Sequence, residues 1–505
     1  MRSSRRARSA WAASAVAALV GTVATLYYHR LGLTLSHYDA RGHLIVARRV
    51  IDSITPGWQQ IGAVWLPLPH LLNLLPVQID AFYRTGASAV ALSVAAYSIS
   101  VGAIVWITLG LTESIPAAAA AAAVFALNPN VLYLQATPMT EPLLIALTLV
   151  ASALLMAWCD DLLGLEDSAR NGSVAGALVG WAFAAACLTR YEAWPITFSA
   201  LPAAVWVLWR RGRGLAAACT RVGVIAAYPL MAILGFMLFS RVVVGEWFTS
   251  SGFFIPENKA LNRPLEALAE IGWGLRALSG WIAMALAAFG LVWLAATSLA
   301  NRRRAGQVLV LSLLASAALP WAAFVDGHPF RIRYMVPLIA VEAIGVGVAV
   351  GIVKRAALVA AVASVLAVTY AERPLSSLAP MVLEAQWDRP NVQARQKITD
   401  WLRTHRDGEK IMASMGSLGH YMQETSRDGF DLRDFLHEGN GDIWLAALED
   451  PKRHAGWILI EEKAEGGDML AQIARRNPAF LEGYDRVYEG AGVALYRRTP
   501  AKHVP

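Results

Sequence analysis

The chain has 505 residues, of which 56% are hydrophobic and 16% charged, and its mean hydropathy is +0.44. Soluble domains are usually about 45–50% apolar and about 25% charged. This composition excludes a disordered chain and an ordinary cytosolic enzyme, and it predicts an integral membrane protein. The net charge of +7 is spread over short arginine clusters between apolar runs, which argues against nucleic acid as a partner. The three cysteines cannot form a disulfide framework.

Apolar segments long enough to cross about 30 Å of hydrocarbon recur through the first three quarters of the chain. We therefore expect a mainly α protein with about eleven transmembrane helices. The predicted spans are 10–29, 86–110, 115–134, 141–158, 173–189, 194–209, 216–244, 273–299, 306–325, 335–353 and 356–371. The third span begins with an alanine-rich run, which is counted because small residues favour close helix packing.

Lysine and arginine collect on the cytoplasmic side of a membrane protein, and they define the expected orientation. Arginines precede the first span, and basic clusters follow the sixth, eighth and tenth spans at 210–213, 302–304 and 354–355. We expect a cytoplasmic N-terminus and an extracytoplasmic C-terminus in a bacterial inner membrane. A cleaved signal peptide is the alternative for residues 1–30, and its removal would leave the orientation to the later clusters alone.

The tail beyond residue 371 has regular charges and alternating patterns. The predicted elements are helices at 393–405, 418–424 and 469–476 and strands at 410–415, 457–461 and 493–497. We expect two domains. Residues 1–371 form the transmembrane domain, with a first outer loop at 31–85, and residues 372–505 form a small extracytoplasmic α/β domain.

On this topology, polar residues from five connections lie at the outer face of the membrane. The segments are 36–43 (SHYDARGH), 58–60, 65–70 (WLPLPH), 128–130, 135–141, 189–192, 245–247, 257–259 and 326–334. Interface anchors and helix caps account for any one of them, including Glu257 or Asp326. Their common side indicates a pocket that opens outward at the level of the lipid headgroups.

Asp39 and His43 are spaced by one helical turn, so they face the same way. The pair supplies two metal ligands, or a base with a neighbour that tunes it, and a helix-capping Asp39 is the third interpretation. Arg331 and Arg333 suit bidentate phosphate binding, or they are interface anchors. Glu342 is the carboxylate placed deep in a span, where it has a functional role or a packing role.

The order and sidedness of these motifs resemble the multispanning GT-C glycosyltransferases over roughly residues 10–371. The shared features are an aspartate in the first outer loop (Asp39), a Pro-rich turn before the second span (65–70) and an acidic residue after the third (Glu141). The segments 128–141 and 189–192 and the pair Arg333-Tyr334 also resemble bacterial members. The most similar branch contains the protein O-mannosyltransferases and aminoarabinose transferases of glycosyltransferase family 39.

The resemblance implies an inverting transfer at the outer face, from a sugar on a polyprenyl phosphate to a glycan, lipid or protein acceptor. Asp39 would be the general base. Glu141 would be a second acidic residue that orients a substrate or binds a metal. The donor phosphate would be held by Arg331, Arg333 and Arg190. The remaining substrate contacts would come from His43, His70, Tyr191, Glu192, Trp58 and Trp65.

Alternatives stay open for several of these residues. Arg190 and Glu192 can pair with each other at a helix end, and an aromatic belt accounts equally well for Trp58, Trp65 and Tyr191. A divalent metal on Asp39, His43 and Glu141 is the one cofactor that the resemblance suggests.

Two departures from the family pattern bear on the metal and the substrate. Ala40 stands where many relatives have a second acidic residue, which argues against a DxD-type metal site, although His43 and His70 could replace that ligand. The lysine that precedes the Pro-rich turn in the lipid A-modifying branch is missing from the segment 64–67, so the sugar and the acceptor stay open.

Two other functions compete with a transferase. A carrier or flippase for a lipid-linked sugar would place ionisable groups near the midplane, often in matched halves, and Glu342 alone favours it. A membrane anchor that presents the α/β tail would leave the concentration of Asp39, His43 and Glu141 on one side unexplained.

Overall fold

The computed structural model describes residues 2–61, 65–162, 169–245, 247, 258–463, 467–490 and 492–499. Glu246 and Glu257 lie outside the described residues. The α-helices are α1 (Arg2–Arg30), α2 (Tyr38–Arg48), α3 (Leu68–Asn73), α4 (Asp80–Thr85), α5 (Ala87–Thr112), α6 (Ile115–Ala126), α7 (Pro129–Leu134), α8 (Glu141–Asp161), α9 (Ala169–Cys187), α10 (Ala193–Arg210), α11 (Leu215–Phe239), α12 (Pro264–Ala300), α13 (Ala318–Val325), α14 (Val336–Ile352), α15 (Ala357–Ala371), α16 (Pro380–Glu384), α17 (Arg389–His405), α18 (Met415–Glu424), α19 (Asp442–Glu449) and α20 (Met469–Arg476).

Tighter and wider helical turns complete the helical part of the chain. A π-helical turn covers Ser240–Val244 at the end of α11. The 3-10 segments are Trp58–Gln60, Pro76–Gln78, Arg302–Ala317, Ile332–Met335, Lys354–Ala356, Thr425–Asp428, Leu432–Asp434, Glu438–Asn440, Pro451–Arg453 and Pro478–Leu481.

Within the described residues, eight helices are long and apolar enough to cross a membrane by length and composition. The remaining predicted spans also coincide with helices: α6 with α7, α9, and α10. The third predicted span, 115–134, is divided because Asn128 caps a new helix there, accepting from the backbone N–H groups of Asn130 and Val131. The mainly α, many-spanning fold expected from the hydropathy pattern is confirmed.

The chain forms two compact units. The first contains Met1–Leu31, Ala63–Pro69 and Val90–Leu383. Its most buried long helix is α14, which packs against α6 and α12. Gly290 and Gly345 lie at the α12–α14 crossing, where a Cβ on either glycine would overlap the facing backbone. The small residues in these helices therefore permit the close approach of the two backbones.

A break at Gly280 divides α12 into two helical halves. Its φ of 74° lies in the left-handed region, which glycine adopts without steric cost. The carbonyl oxygen of Leu278 accepts hydrogen bonds from the side-chain amides of Asn128 and Asn130, both at 2.9 Å. The 128–130 motif thus satisfies a backbone acceptor beside the break.

The second unit contains Gly32–Gly62, His70–Ala89 and Glu384–Pro505, so most of the predicted outer loop groups with the tail. Its sheet has the order β2-β1-β3-β5-β4, with β2, β1 and β3 parallel and β5 antiparallel to β3 and β4. The strands are β1 (Ile411–Ala413), β2 (Phe435–Leu436), β3 (Trp457–Glu461), β4 (Tyr484–Gly490) and β5 (Val493–Arg498).

The α/β character of the tail is confirmed, and the three predicted helices and three predicted strands coincide with α17, α18, α20, β1, β3 and β5. Sequence analysis missed the short edge strand β2, the edge strand β4 and helix α19. The buried or partly buried apolar residues of β4, Tyr484, Val487 and Tyr488, do not alternate regularly, because the register shifts between Arg486 and Tyr488. The strand is defined by its pairing with β5 rather than by a period-two pattern.

Helix α2 of the first loop shares a hydrophobic core with the tail. Leu44 and Ile45 are buried in one cluster with Leu418, Tyr421 and Met422 of α18. Burial of side chains of this size typically stabilises a fold by about 1.5–3 kcal/mol each. The helix that carries Asp39 and His43 is therefore packed on the α/β unit.

Candidate functional site

In the first unit, charged side chains from three connections meet in an arginine–glutamate cluster. We use this name for Glu141, Arg190, Glu192 and Arg333. Glu141 is the first residue of α8, Arg190 and Glu192 lie in the turn between α9 and α10, and Arg333 lies in the 3-10 turn before α14. These elements are far apart in the sequence, and the fold brings their ends together.

Arg190 is the centre of the arginine–glutamate cluster. Its Nη1 lies 3.1 Å from Oε1 of Glu141 and 3.0 Å from the hydroxyl of Thr140, and its Nη2 lies 2.7 Å from Oε1 of Glu192. Burial alone would lower the pKa of Arg190, but the carboxylates of Glu141 and Glu192 raise that pKa above its ordinary value. The guanidinium of Arg190 therefore stays charged. The pairing of Arg190 with Glu192 that the sequence suggested is present in the structure.

Glu141 is 0% exposed and ion-paired with two guanidinium groups. Besides Arg190, it has Nε of Arg333 at 3.7 Å. Its position in the first turn of α8 also suits a negative charge, because the helix dipole is positive there. Full burial of this carboxylate is tolerated because two cations compensate its charge.

The other candidates in the first unit lie near the same helix ends. Arg331 is buried and directly precedes the turn that carries Arg333. Tyr191 packs edge-on against Trp194, with ring centroids 5.3 Å apart. Trp65 is half-buried.

In the second unit, the candidate residues are gathered on and around α2. Asp39 and His43 are both buried, and Nδ1 of His43 lies 3.0 Å from Nε2 of His70. The structure therefore joins two histidines that are 27 residues apart in the chain. Trp58, also in this unit, is exposed at the start of a 3-10 turn.

The cap of α2 is His37, although sequence analysis weighed Asp39 for that role. Nδ1 of His37 accepts a hydrogen bond from the backbone N–H of Asp39 at 3.1 Å. Nε2 of His37 lies 3.3 Å from Oε1 of Glu384. Sequence reasoning did not select either residue: His37 lies inside the quoted 36–43 motif, but nothing in the sequence links it to Glu384.

The side chains predicted to bind a metal, Asp39, His43 and Glu141, are not gathered into a metal centre by the structure. In the part of the chain that the structure describes, no group of three or more His, Cys, Asp or Glu side chains is arranged to hold a metal ion. We therefore derive no step through a metal.

The sequence matches no protein-family profile and no curated protein. Solved structures do match. ArnT from Cupriavidus metallidurans bound to undecaprenyl phosphate is 14% identical, with a TM-score of 0.54 and coverage of 96% of this chain and 97% of ArnT. The apo oligosaccharyltransferase of Archaeoglobus fulgidus is 12% identical, with a TM-score of 0.57 and coverage of 98% and 75%. The same enzyme in complex with Zn and sulfate is 13% identical, with a TM-score of 0.51 and coverage of 96% and 73%.

Both neighbours are GT-C glycosyltransferases, so the predicted GT-C fold is confirmed. The likeness includes the tail, which the sequence resemblance did not cover. Together with the apolar helices, it makes the chain an integral membrane protein. At 12–14% identity the comparisons establish the fold and leave the activity to the chemistry of the site.

Proposed function

We propose that the chain is a membrane glycosyltransferase that moves a sugar from a polyprenyl-phosphate donor to an acceptor at the outer face, with inversion. The observation that carries this proposal is the GT-C fold over 96% of the chain, shared with a neighbour solved with undecaprenyl phosphate. A related neighbour was solved with a tethered acceptor peptide. The arginine clusters between spans support a cytoplasmic N-terminus and an extracytoplasmic tail in a bacterial inner membrane.

Asp39 is the proposed general base. A carboxylate serves here because the acceptor hydroxyl or amine needs to lose its proton only as the new bond to the anomeric carbon forms. The acceptor oxygen or nitrogen attacks that carbon, the bond to the phosphate oxygen breaks, and Asp39 takes the proton. Burial of Asp39 and its position on a packed helix support the role, since a base must be held in place.

Arg331 and Arg333 are the proposed partners of the departing polyprenyl phosphate. Both are buried, and guanidinium groups stabilise the charge that develops on a leaving phosphate. Arg190 is already engaged by Glu141, Glu192 and Thr140, so its part is to hold the cluster together rather than to bind phosphate first. Glu141 orients the two arginines.

The other substrate contacts remain as proposed from the resemblance. His43, joined to His70, and Tyr191, Glu192, Trp58 and Trp65 would contact the sugar or the acceptor.

The test is transfer from radiolabelled polyprenyl-phosphate sugars by purified protein in detergent. Asp39→Asn should lower the rate by about 10²–10⁴-fold, the usual contribution of a positioned base. The matched control is Asp400→Asn, which changes an exposed aspartate of α17 in the same way. Full activity of folded Asp39→Asn would contradict the mechanism.

A carrier of lipid-linked sugars is the second candidate, and Glu342 is the observation that favours it. Glu342 is buried in the middle of α14, and ionisable residues inside membrane helices often line transport paths. Donor binding without turnover with any acceptor, combined with loss of donor movement across vesicles in Glu342→Gln, would favour the carrier.

A further inference from the structure

The N-terminus of α2 is capped by a histidine. His37 has extended backbone angles, φ −72° and ψ 129°, and its Nδ1 accepts the backbone N–H of Asp39. Serine, threonine, asparagine and aspartate are the usual caps, because their short side chains reach the same N–H groups. An imidazole in this place binds the backbone of the proposed base itself.

The second nitrogen of the same ring is also engaged. A neutral imidazole that accepts at Nδ1 carries its proton on Nε2. That N–H therefore donates to Glu384 at 3.3 Å, and the carboxylate selects the tautomer that leaves Nδ1 as an acceptor. His37 is 1% exposed and Glu384 6% exposed. The two hydrogen bonds that link the Glu384 carboxylate, the imidazole and the backbone N–H of Asp39 are therefore shielded from water.

We propose that His37 and Glu384 are positioning residues for Asp39, an inference that rests on the proposed function. The remainder of α2 is secured by Leu44 and Ile45 in the core of the unit. Its first turn, by contrast, depends on the cap, because the first N–H groups of a helix have no partner within the helix. Fixing the Asp39 N–H fixes the direction in which the Asp39 side chain leaves the backbone.

A matched control exists in the same unit. Nδ1 of His437 accepts the backbone N–H of Gly439 at 3.1 Å, the same length and the same two-residue spacing as the His37 cap. His437 is also buried, and it caps the 3-10 turn Glu438–Asn440. His437→Ala therefore removes a hydrogen bond of the same length from a different helical turn and leaves the cap of α2 in place.

The first experiment separates kcat from KM in the full-length protein. His37→Ala should lower kcat about 10- to 100-fold with little change in KM, because misplacement of a reacting group affects the chemical step. His37→Asn should recover most of kcat, since an amide oxygen also caps. Glu384→Gln should fall between them, and His437→Ala should keep the wild-type kcat. Equal loss in His37→Ala and His437→Ala would overturn the proposal.

The second experiment does not need activity. Hydrogen exchange of the peptide containing residues 38–42 should be about fivefold faster in His37→Ala and close to wild type in His37→Asn. Unchanged exchange in His37→Ala would overturn the cap. Faster exchange with unchanged kcat would overturn the positioning role. If the wild type transfers no sugar, the proposed function fails with it, whereas the exchange data still report the cap.

Discussion

Asp39 and Glu141 are both buried carboxylates in the first turn of a helix, yet their surroundings differ. Glu141 lies between the guanidinium groups of Arg190 and Arg333, which compensate its charge. Asp39 lies on a helix whose cap is supplied by His37, so its carboxylate is not used as the cap. The comparison teaches that a carboxylate in the first turn of a helix is part of an ion-pair network in one unit and a candidate base in the other.

The largest expected effect is on stability and distinguishes the two carboxylates. Glu141→Gln should lower the free energy of unfolding by about 3–5 kcal/mol, since removing one member of a buried ion pair leaves cations uncompensated. Asp39→Asn should cost less than about 1 kcal/mol. Thermal unfolding in detergent measures both. A double variant, Glu141→Gln with Arg333→Gln, restores neutrality and should recover part of the loss; an Asp39→Asn protein as unstable as Glu141→Gln would break the comparison.

The next effect concerns pH in the second unit. Burial raises the pKa of Glu461 to about 7 from an ordinary 4.5, with Arg395 opposing. The carboxyl then binds its proton more tightly in the folded chain than in the unfolded chain. Its contribution to stability therefore falls by about 3 kcal/mol as pH rises from about 4.5 to about 7, and it is level above that. Glu461→Gln, which does not titrate, should gain stability relative to wild type over this range.

Two histidines of the same unit also titrate in this range, so the stability of Glu461→Gln must be compared with that of wild type at each pH. Burial lowers the pKa of His420 and of His437 to about 3, so their contribution rises with pH between about 3 and 6.5. Both are present in wild type and Glu461→Gln, and their effects cancel. A stability difference that stays constant from pH 4.5 to 8 would contradict the shift at Glu461.

The smallest effect is expected at the ion pair between Arg41 of α2 and Glu424 of α18. Glu424 keeps a second partner, Arg395, at 3.2 Å. Arg41→Gln should therefore cost about 1 kcal/mol, the upper range of a partly exposed pair. Hydrogen exchange across α2 measures it, with Arg403→Gln, an exposed arginine of α17, as control. A loss as large as that of Glu141→Gln would show that α2 depends on charge pairing as strongly as the first unit does.

Hydropathy predicted the spans well because a bilayer imposes one length and one apolar composition on each crossing. The same reasoning missed β4, whose apolar residues do not alternate regularly because of the irregularity between Arg486 and Tyr488. It also predicted 115–134 as one span, whereas Asn128 begins a new helix inside it. By its contacts, α2 of the first loop groups with the tail.

In the candidate site, contacts between residues close in the sequence could be predicted, and contacts between residues far apart in the sequence could not. The Arg190–Glu192 pair could be foreseen because the two residues are neighbours in one turn. The His43–His70 contact and the His37–Glu384 contact could not, because 27 and 347 residues separate the partners. The identity of the charged residues and their place between apolar runs are local properties of the sequence, but their pairing depends on how helix ends converge.

The sequence by itself determined the class of protein and the order of its apolar helices, because these follow from composition and periodicity. Only the tertiary structure decided which carboxylate is neutralised by arginines and which lies on a histidine-capped helix. The physical reason is that electrostatic and hydrogen-bonding partners are selected by distance in space, and residues hundreds of positions apart reach each other only after the apolar surfaces have packed.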